Sequence, residues 1–135
     1  MKRYLSLMTL GLLLAGSAPV LAAGVVEERL AAYQAQGAGP FDGERGRAMW
    51  TQKFTHAKAD KPRSCATCHT GNPRAVGKHA RTGKAIEPLA PSVNPARLTE
   101  VREIEKWLMR NCKWTVGREC TPQEKGDFLS YLGAQ

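Results

Sequence analysis

The chain has 135 residues, with 20 Lys and Arg against 12 Asp and Glu and a formal charge of +8. That length holds one small domain rather than several. The basic residues are scattered among acidic ones, with no Arg/Lys block or aromatic ladder, which excludes a nucleic-acid groove. The charge is left to serve solubility, or docking to an acidic partner.

In chain order, "MKR" is a short basic start, "YLSLMTLGLLLAG" an apolar run and "SAPVLAA" a small-residue exit. This is the pattern of a secretory signal peptide over residues 1–22, cut after Ala22 or Ala23, and it directs the rest to the periplasm. A retained anchor would need roughly 20 apolar residues, which this run does not reach, and no later segment could span a bilayer. Lys2 and Arg3 leave with the leader, taking the formal charge from +8 to +6. The remaining domain, residues 23–135, is about 112 residues long, a size with a thin core that gains from a staple or a bulky cofactor.

"VVEERLAAYQAQ" predicts a first helix with Val26, Leu30, Ala31 and Tyr33 as packing residues, broken by "GAGP". "DGERGRAMWTQKF" predicts a second, with Asp42 as N-cap and Ala48, Met49 and Trp50 as its apolar residues. Gly46 lowers the propensity of that helix, and a close packing contact would explain it. From Ala57 to Pro95 the periodicity dissolves into repeated Gly, Pro and Asn. So long a stretch in a small domain wraps something or carries function. Its few large apolar residues, mainly Val76, Ile86, Leu89 and Val93, need a foreign hydrophobic object to pack against.

Periodicity returns in "EVREIEKWLMRN", with Thr99 as the expected N-cap and Glu100 in the first turn. The last helix is signalled by "TPQE": Thr121 at N-cap, Pro122 at N1 and Glu124 at N3 form a capping box with a proline start. Phe128, Leu129, Tyr131 and Leu132 follow, and Gly133 is the natural stop.

Four cysteines in an exported chain first suggest two disulfides, but their spacings assign two different uses. Cys65-Ala66-Thr67-Cys68-His69 is a C-x-x-C-H motif, the pattern of c-type haem attachment. Cys65 and Cys68 would form thioethers to one covalently attached haem c, and His69 would coordinate its iron from the proximal side. A thioredoxin-like dithiol would want a preceding strand in a βαβ setting, and none is predicted. Zinc would need further ligands, and Cys112 and Cys120 are not spaced like a second knuckle. Haem also supplies the missing core, with the Gly/Pro-rich middle section wrapped around its rim. Arg81 and Lys84 are candidates to meet its propionates, or merely to solvate the surface.

The distal side is less determined. Met49 reads as core filling, and Met109 projects with Arg102, Glu105 and Lys106, away from the stripe of Val101, Ile104 and Leu108. Trp107 flanks that stripe, and Asn111 falls on it. A buried asparagine must be hydrogen-bonded or meet a metal; alternatively Asn111 is the left-handed cap of the helix. His56 and His79 are rival ligands. Cys112 and Cys120, in an oxidising compartment, are expected to pair rather than stay free. For so short a loop the gain is about 2.5 kcal/mol, and the bridge pins the backbone beside Asn111.

Together "GRAMW", "CATCH", "RTGKAIEPLAPS", "VREIEKWLMRNC", "GREC" and "TPQEKGDFLSYL" resemble the sphaeroides haem protein family of monohaem c-type cytochromes, over essentially the whole mature chain. The resemblance implies an all-α fold: a small class I cytochrome c-like domain with an additional N-terminal helix and haem-wrapping loops. It implies iron ligation by His69 and Asn111 and a Cys112–Cys120 disulfide. The related cytochrome c'' type has histidine in place of the asparagine, so Asn111 sides with the asparagine branch.

An amide oxygen is a weak, hard ligand that favours ferric over ferrous iron. Reduction is therefore expected to release Asn111 and open the distal side to dioxygen, nitric oxide or carbon monoxide. The resemblance also implies a dihaem cytochrome c as electron donor, and nitric oxide or peroxide handling. With no acid–base pair identifiable, the expected function is electron transfer with reduction-gated gas binding by a monomer, rather than dedicated enzymatic turnover. The alternatives are a six-coordinate electron shuttle using Met109, His79 or His56, and a haem enzyme converting nitric oxide or peroxide. A gas sensor would lack an obvious output domain.

Overall fold

The computed structural model describes residues 20–135. The expected leader lies outside them except for Val20, Leu21 and Ala22, which open helix α1 (Val20–Gln34). Ala22, Val26 and Tyr33 are buried on one face of α1, as spacings of four and seven dictate. Leu30 is half-buried beside them, whereas Ala31, expected inside, is exposed. Five residues after Val26, it is turned well away from that face.

Helix α2 (Gly43–Thr51) starts where the sequence predicts, the Asp42 carboxylate accepting from the Glu44 N–H at 2.8 Å. Gly46 and Trp50, four apart, are its buried residues, and Ala48 between them faces outward. The helix ends before Phe54 because that residue exchanges both backbone hydrogen bonds with Arg63, at 2.8 and 2.9 Å. Gly46 answers the expectation of a close contact: a Cβ there would lie 2.1 Å from the carbonyl oxygen of Asp127.

That carbonyl belongs to α5 (Pro122–Gly133), which packs on both α2 and α1. Its start is the expected capping box: the Thr121 hydroxyl accepts from the Glu124 N–H, and the Glu124 carboxylate accepts from the Thr121 N–H. Phe128, Tyr131 and Leu132 join Trp50, Cys112 and Cys120 in one apolar cluster. Leu129 joins Val26, Tyr33 and Ile104 in a second. Asp127 is buried among them, its carboxylate accepting from the Asp42 N–H at 2.7 Å and from Arg45 Nε and Nη2 at 2.9 Å. A charge removed from water needs such pairing.

Between α2 and α5 lie the short helix α3 (Ala66–His69), a hairpin of β1 (Gly77–Lys78) and β2 (Ala85–Ile86), and α4 (Val101–Thr115). The two-residue strands pair antiparallel, Gly77 opposite Ile86. Otherwise the middle section is loop, as its composition predicts. Helix α4 begins one residue later than expected, with Glu100 as N-cap. Thr99 instead donates its hydroxyl to the Ala96 carbonyl at 3.0 Å. The frame is all-α. Among the described residues no helix is long and apolar enough to cross a membrane.

Candidate haem site

Cys65, Cys68 and His69 sit on a single turn, closed by the His69 N–H donating to the Cys65 carbonyl at 3.1 Å. The Thr67 hydroxyl accepts from the Ser64 N–H at 2.9 Å, tying the entry of the turn to its middle. Strand β1 presses on the turn so closely that a Cβ on Gly77 would stand 2.2 Å from the Cys68 carbonyl oxygen. From the other side, the Trp50 ring lies 5.6 Å from the His69 ring, tilted by 40°. Trp50 also donates its indole N–H to the carbonyl of Thr70.

Burial, reinforced by the nearby Arg97 guanidinium, pulls the His69 imidazole down to about 4. It is therefore neutral at pH 7, with a lone pair to coordinate a metal. Burial pushes the Cys65 thiol up to about 12. A redox-active dithiol needs the opposite, a lowered thiol, and the only paired strands among the described residues form one hairpin rather than a βαβ unit. The dithiol reading falls. So does zinc: Cys112 and Cys120 are bonded to each other, and among the described residues no three metal-ligating side chains converge.

The Cys112–Cys120 disulfide forms as expected, its Cα atoms 5.6 Å apart. Both cysteines are buried in the cluster around Trp50, and Cys65 packs against that same cluster. The Cys65–His69 turn and the disulfide thus rest on one core. Asn111 precedes Cys112 and lies inside α4, which continues to Thr115 and is capped by Val116. It is not the helix cap, so that alternative is removed.

Nor is Asn111 buried, as the apolar stripe suggested; it is exposed. The sector of α4 that packs on protein is centred on Ile104, Leu108, Cys112 and Thr115. Asn111, seven residues from Ile104, is left at the sector's edge. Beside it on that edge are two further outward side chains, Trp107 (45% exposed) and Trp114 (37% exposed).

The rival ligands are placed less favourably. Met49 packs against the core, and Met109, two residues from Asn111 and Trp107, points away from their edge. His56 has both ring nitrogens engaged: Nε2 lies 3.1 Å from the Trp114 carbonyl and Nδ1 accepts from the Lys58 N–H at 3.3 Å. His79 uses Nδ1 within its own hairpin turn, accepting from the Thr82 N–H at 3.1 Å. Arg81 and Lys84 are exposed in that hairpin loop. Sequence reasoning missed the Trp50 bond to Thr70, the Gly77 contact and the Arg97 neighbour of His69. The one local signal was Gly77, a glycine opening a strand, which marks close backbone approach.

The residues present fit a haem. The two thiols on the turn are unbridged, the imidazole behind them is neutral, and the middle section turns Val76 and Val93 outward. With Trp107 these are apolar faces that a flat macrocycle would cover. Two free thiols on one turn, with a neutral imidazole directly behind and an all-α frame to hold them, define a c-type cytochrome.

It belongs to the family of cytochrome c-type protein SHP and cytochrome c'', small class I-like cytochromes whose cofactor is a covalently bound haem c. SHP of Cereibacter sphaeroides is 46% identical over 129 residues, 95% of this chain and 97% of that protein. Cytochrome c'' of Methylophilus methylotrophus is 41% identical over 87 residues, 64% of this chain and 60% of that protein. Residues 36–132 match a family described as a domain of unknown function, DUF1924.

The structure of oxidised SHP, an oxygen-binding cytochrome c, superposes with a TM-score of 0.75 at 47% identity, covering 82% of this chain and 96% of that one. Oxidised cytochrome c'' superposes with a TM-score of 0.71 at 34% identity, covering 87% and 96%.

Proposed function

We propose that this protein is a periplasmic electron-transfer cytochrome in which Cys65 and Cys68 hold the haem, His69 ligates it, and Asn111 is its distal ligand in the oxidised form only. The bound haem supplies one-electron exchange and, where a ligand position is open, affinity for diatomic gases.

His69, neutral and braced by Trp50, serves both oxidation states. Asn111 contributes a neutral amide oxygen, a donor strong enough for ferric but not for ferrous iron. Its weaker hold on ferrous iron would leave a position for dioxygen or nitric oxide once the haem is reduced. The neighbouring disulfide limits how far Asn111 can move, so it stays close enough to return on oxidation. Oxygen binding by SHP, whose structure is 47% identical to this chain, supports this reading. The observation that carries it is Asn111 itself: an exposed asparagine in a helix interior, between two outward tryptophans and one residue from a disulfide that shares its core with Cys65.

The leader supports the periplasm, with cleavage after Ala22 or Ala23 leaving α1 to begin at its fourth or fifth residue. A dihaem cytochrome c or another redox protein would deliver the electrons, and a monomer suffices.

The test is a set of absorption and electron paramagnetic resonance spectra of the purified haem protein, oxidised and reduced, beside Asn111→Ala. A five-coordinate, high-spin reduced form, with the ferric spectrum altered when Asn111 is lost, is the expected result. A low-spin reduced form indifferent to the substitution would instead establish a six-coordinate shuttle using His79, His56 or Met109.

A further inference from the structure

Alongside the second half of α4 runs an open groove of about 610 Å³. Lys58, Arg63, Arg110, Lys113 and Arg118 line it, together with Trp114, and none of its lining residues is acidic. It is a built feature. The Arg63 guanidinium stacks 4.5 Å over the Trp114 ring and donates Nη1 to the Trp114 carbonyl at 3.2 Å.

The charges are unevenly satisfied. Lys113 pairs with Glu119 at 2.9 Å and Arg118 with Glu124 at 2.7 Å, both from the rim. Asp60 reaches Arg63 only at 3.9 Å and is 93% exposed. Lys58 and Arg110 form no salt bridge among the described residues. The groove therefore keeps a positive field while its rim carboxylates soften it.

We propose that this groove docks an acidic surface of the electron-donating redox protein; the inference rests on the electron-transfer reading above. Three observations support it. The sign is complementary to an acidic partner, and clustering in one cleft focuses the field. The composition is that of an interface centre, Arg and Trp rather than Lys alone. The position is the third. Arg110, Lys113 and Trp114 bracket Asn111 on α4, and Arg63 stands two residues before Cys65. A donor seated here rests where the two haem-holding segments meet. In each encounter the donor loses one electron and the ferric centre gains it. The partly neutralised rim suits a transient encounter, formed quickly and released, better than tight capture of a small anion.

The test uses stopped-flow reduction of the ferric holoprotein by two donors: fully reduced flavodoxin, an acidic one-electron donor protein, and photoreduced lumiflavin, which is uncharged. Each variant is scored by the ratio of the two rates. At an ionic strength of about 10 mM, Lys58→Glu with Arg110→Glu is expected to lower the ratio roughly tenfold, and Arg110→Glu alone by less. Arg47→Glu on α2, the same charge change outside the groove, should leave the ratio unchanged. At about 0.5 M salt all variants should converge, since the Debye length is then only a few ångströms.

An unchanged ratio for the double variant, or an equal fall for Arg47→Glu, overturns the docking surface while leaving electron transfer intact. So does loss of binding to phosphatidylglycerol vesicles with flavodoxin rates preserved, which would make the groove a membrane contact. Failure of both donors to reduce the protein would overturn the electron-transfer reading itself.

Discussion

Trp50 donates its indole N–H to the carbonyl oxygen of Thr70 at 2.8 Å, anchoring the residue directly after His69 to the end of α2. Thr70 sits at φ 63° and ψ 172°, a region that glycine alone occupies at ease, so neighbours must hold it there. Trp50 is 4% exposed and wedged between His69 and Tyr131. Trp50→Phe should keep the wedge but leave the carbonyl without its donor, costing about 1–3 kcal/mol. Urea denaturation of the holoprotein measures that loss, with little change expected in the ferric spectrum. Trp50→Ala should cost about 3–5 kcal/mol and shift the spectrum as well, because His69 then loses its lateral support.

Two glycines separate the demands of fold and site. At Gly77 an added Cβ would meet the Cys68 carbonyl at 2.2 Å; at Gly46 it would meet the Asp127 carbonyl at 2.1 Å. Both obstacles are backbone, so neither can swing aside. Gly77→Ala should distort the attachment turn and lower the haem bound per chain, read by the pyridine haemochrome assay. Gly46→Ala separates α2 from α5 and should cost about 3 kcal/mol, the upper range for overpacking. The molecules that still fold should carry a full complement of haem.

On the distal role proposed for Asn111, Asn111→His replaces a weak amide oxygen with an imidazole nitrogen that binds both oxidation states of iron. The ferric form should become six-coordinate and low-spin, and carbon monoxide should bind the reduced form more slowly than it binds the parent. Replacing Cys112 and Cys120 together by serine tests the support rather than the ligand. It should cost about 2.5 kcal/mol of stability by chain entropy. It should also broaden the ferric spectrum as the end of α4 loosens.

The parts of this architecture with local causes were legible in the sequence. Asp42 and the Thr121–Glu124 box cap their helices through bonds that span two or three residues, and C-x-x-C-H declares its chemistry by spacing alone. Contacts across the chain were not. Ala31 and Ala48 look like core residues only while the rotation of their helices relative to α5 is unknown. The wheel places Asn111 on the stripe of Ile104 and Leu108, but which part of that stripe packs on protein depends on elements distant in the chain. Trp50 and Thr70 are twenty residues apart, and no periodicity relates an indole to a single carbonyl.

Glu105 ties three helices together. It accepts hydrogen bonds from the Tyr33 hydroxyl on α1 and from Lys125 Nζ on α5, the latter at 2.9 Å, with Arg29 of α1 at 3.9 Å. Burial alone would raise its carboxyl. The bonds from Tyr33 and Lys125, with the charges of Lys125 and Arg29, outweigh that and hold it below the usual 4.5. A carboxyl lowered in the folded state contributes stability that is fully present above its unfolded value and is lost as the pH falls through the folded one. Glu105→Gln should therefore destabilise the holoprotein at pH 7 by about 1–3 kcal/mol, the cost of unmatching charge-assisted partners. The gap from the parent should hold steady down to pH 4.5 and narrow below it. The other titrating groups are common to parent and variant, so the difference between their pH–stability curves isolates Glu105. A gap that stayed constant through the acid range would mean that Glu105 acts through packing rather than charge.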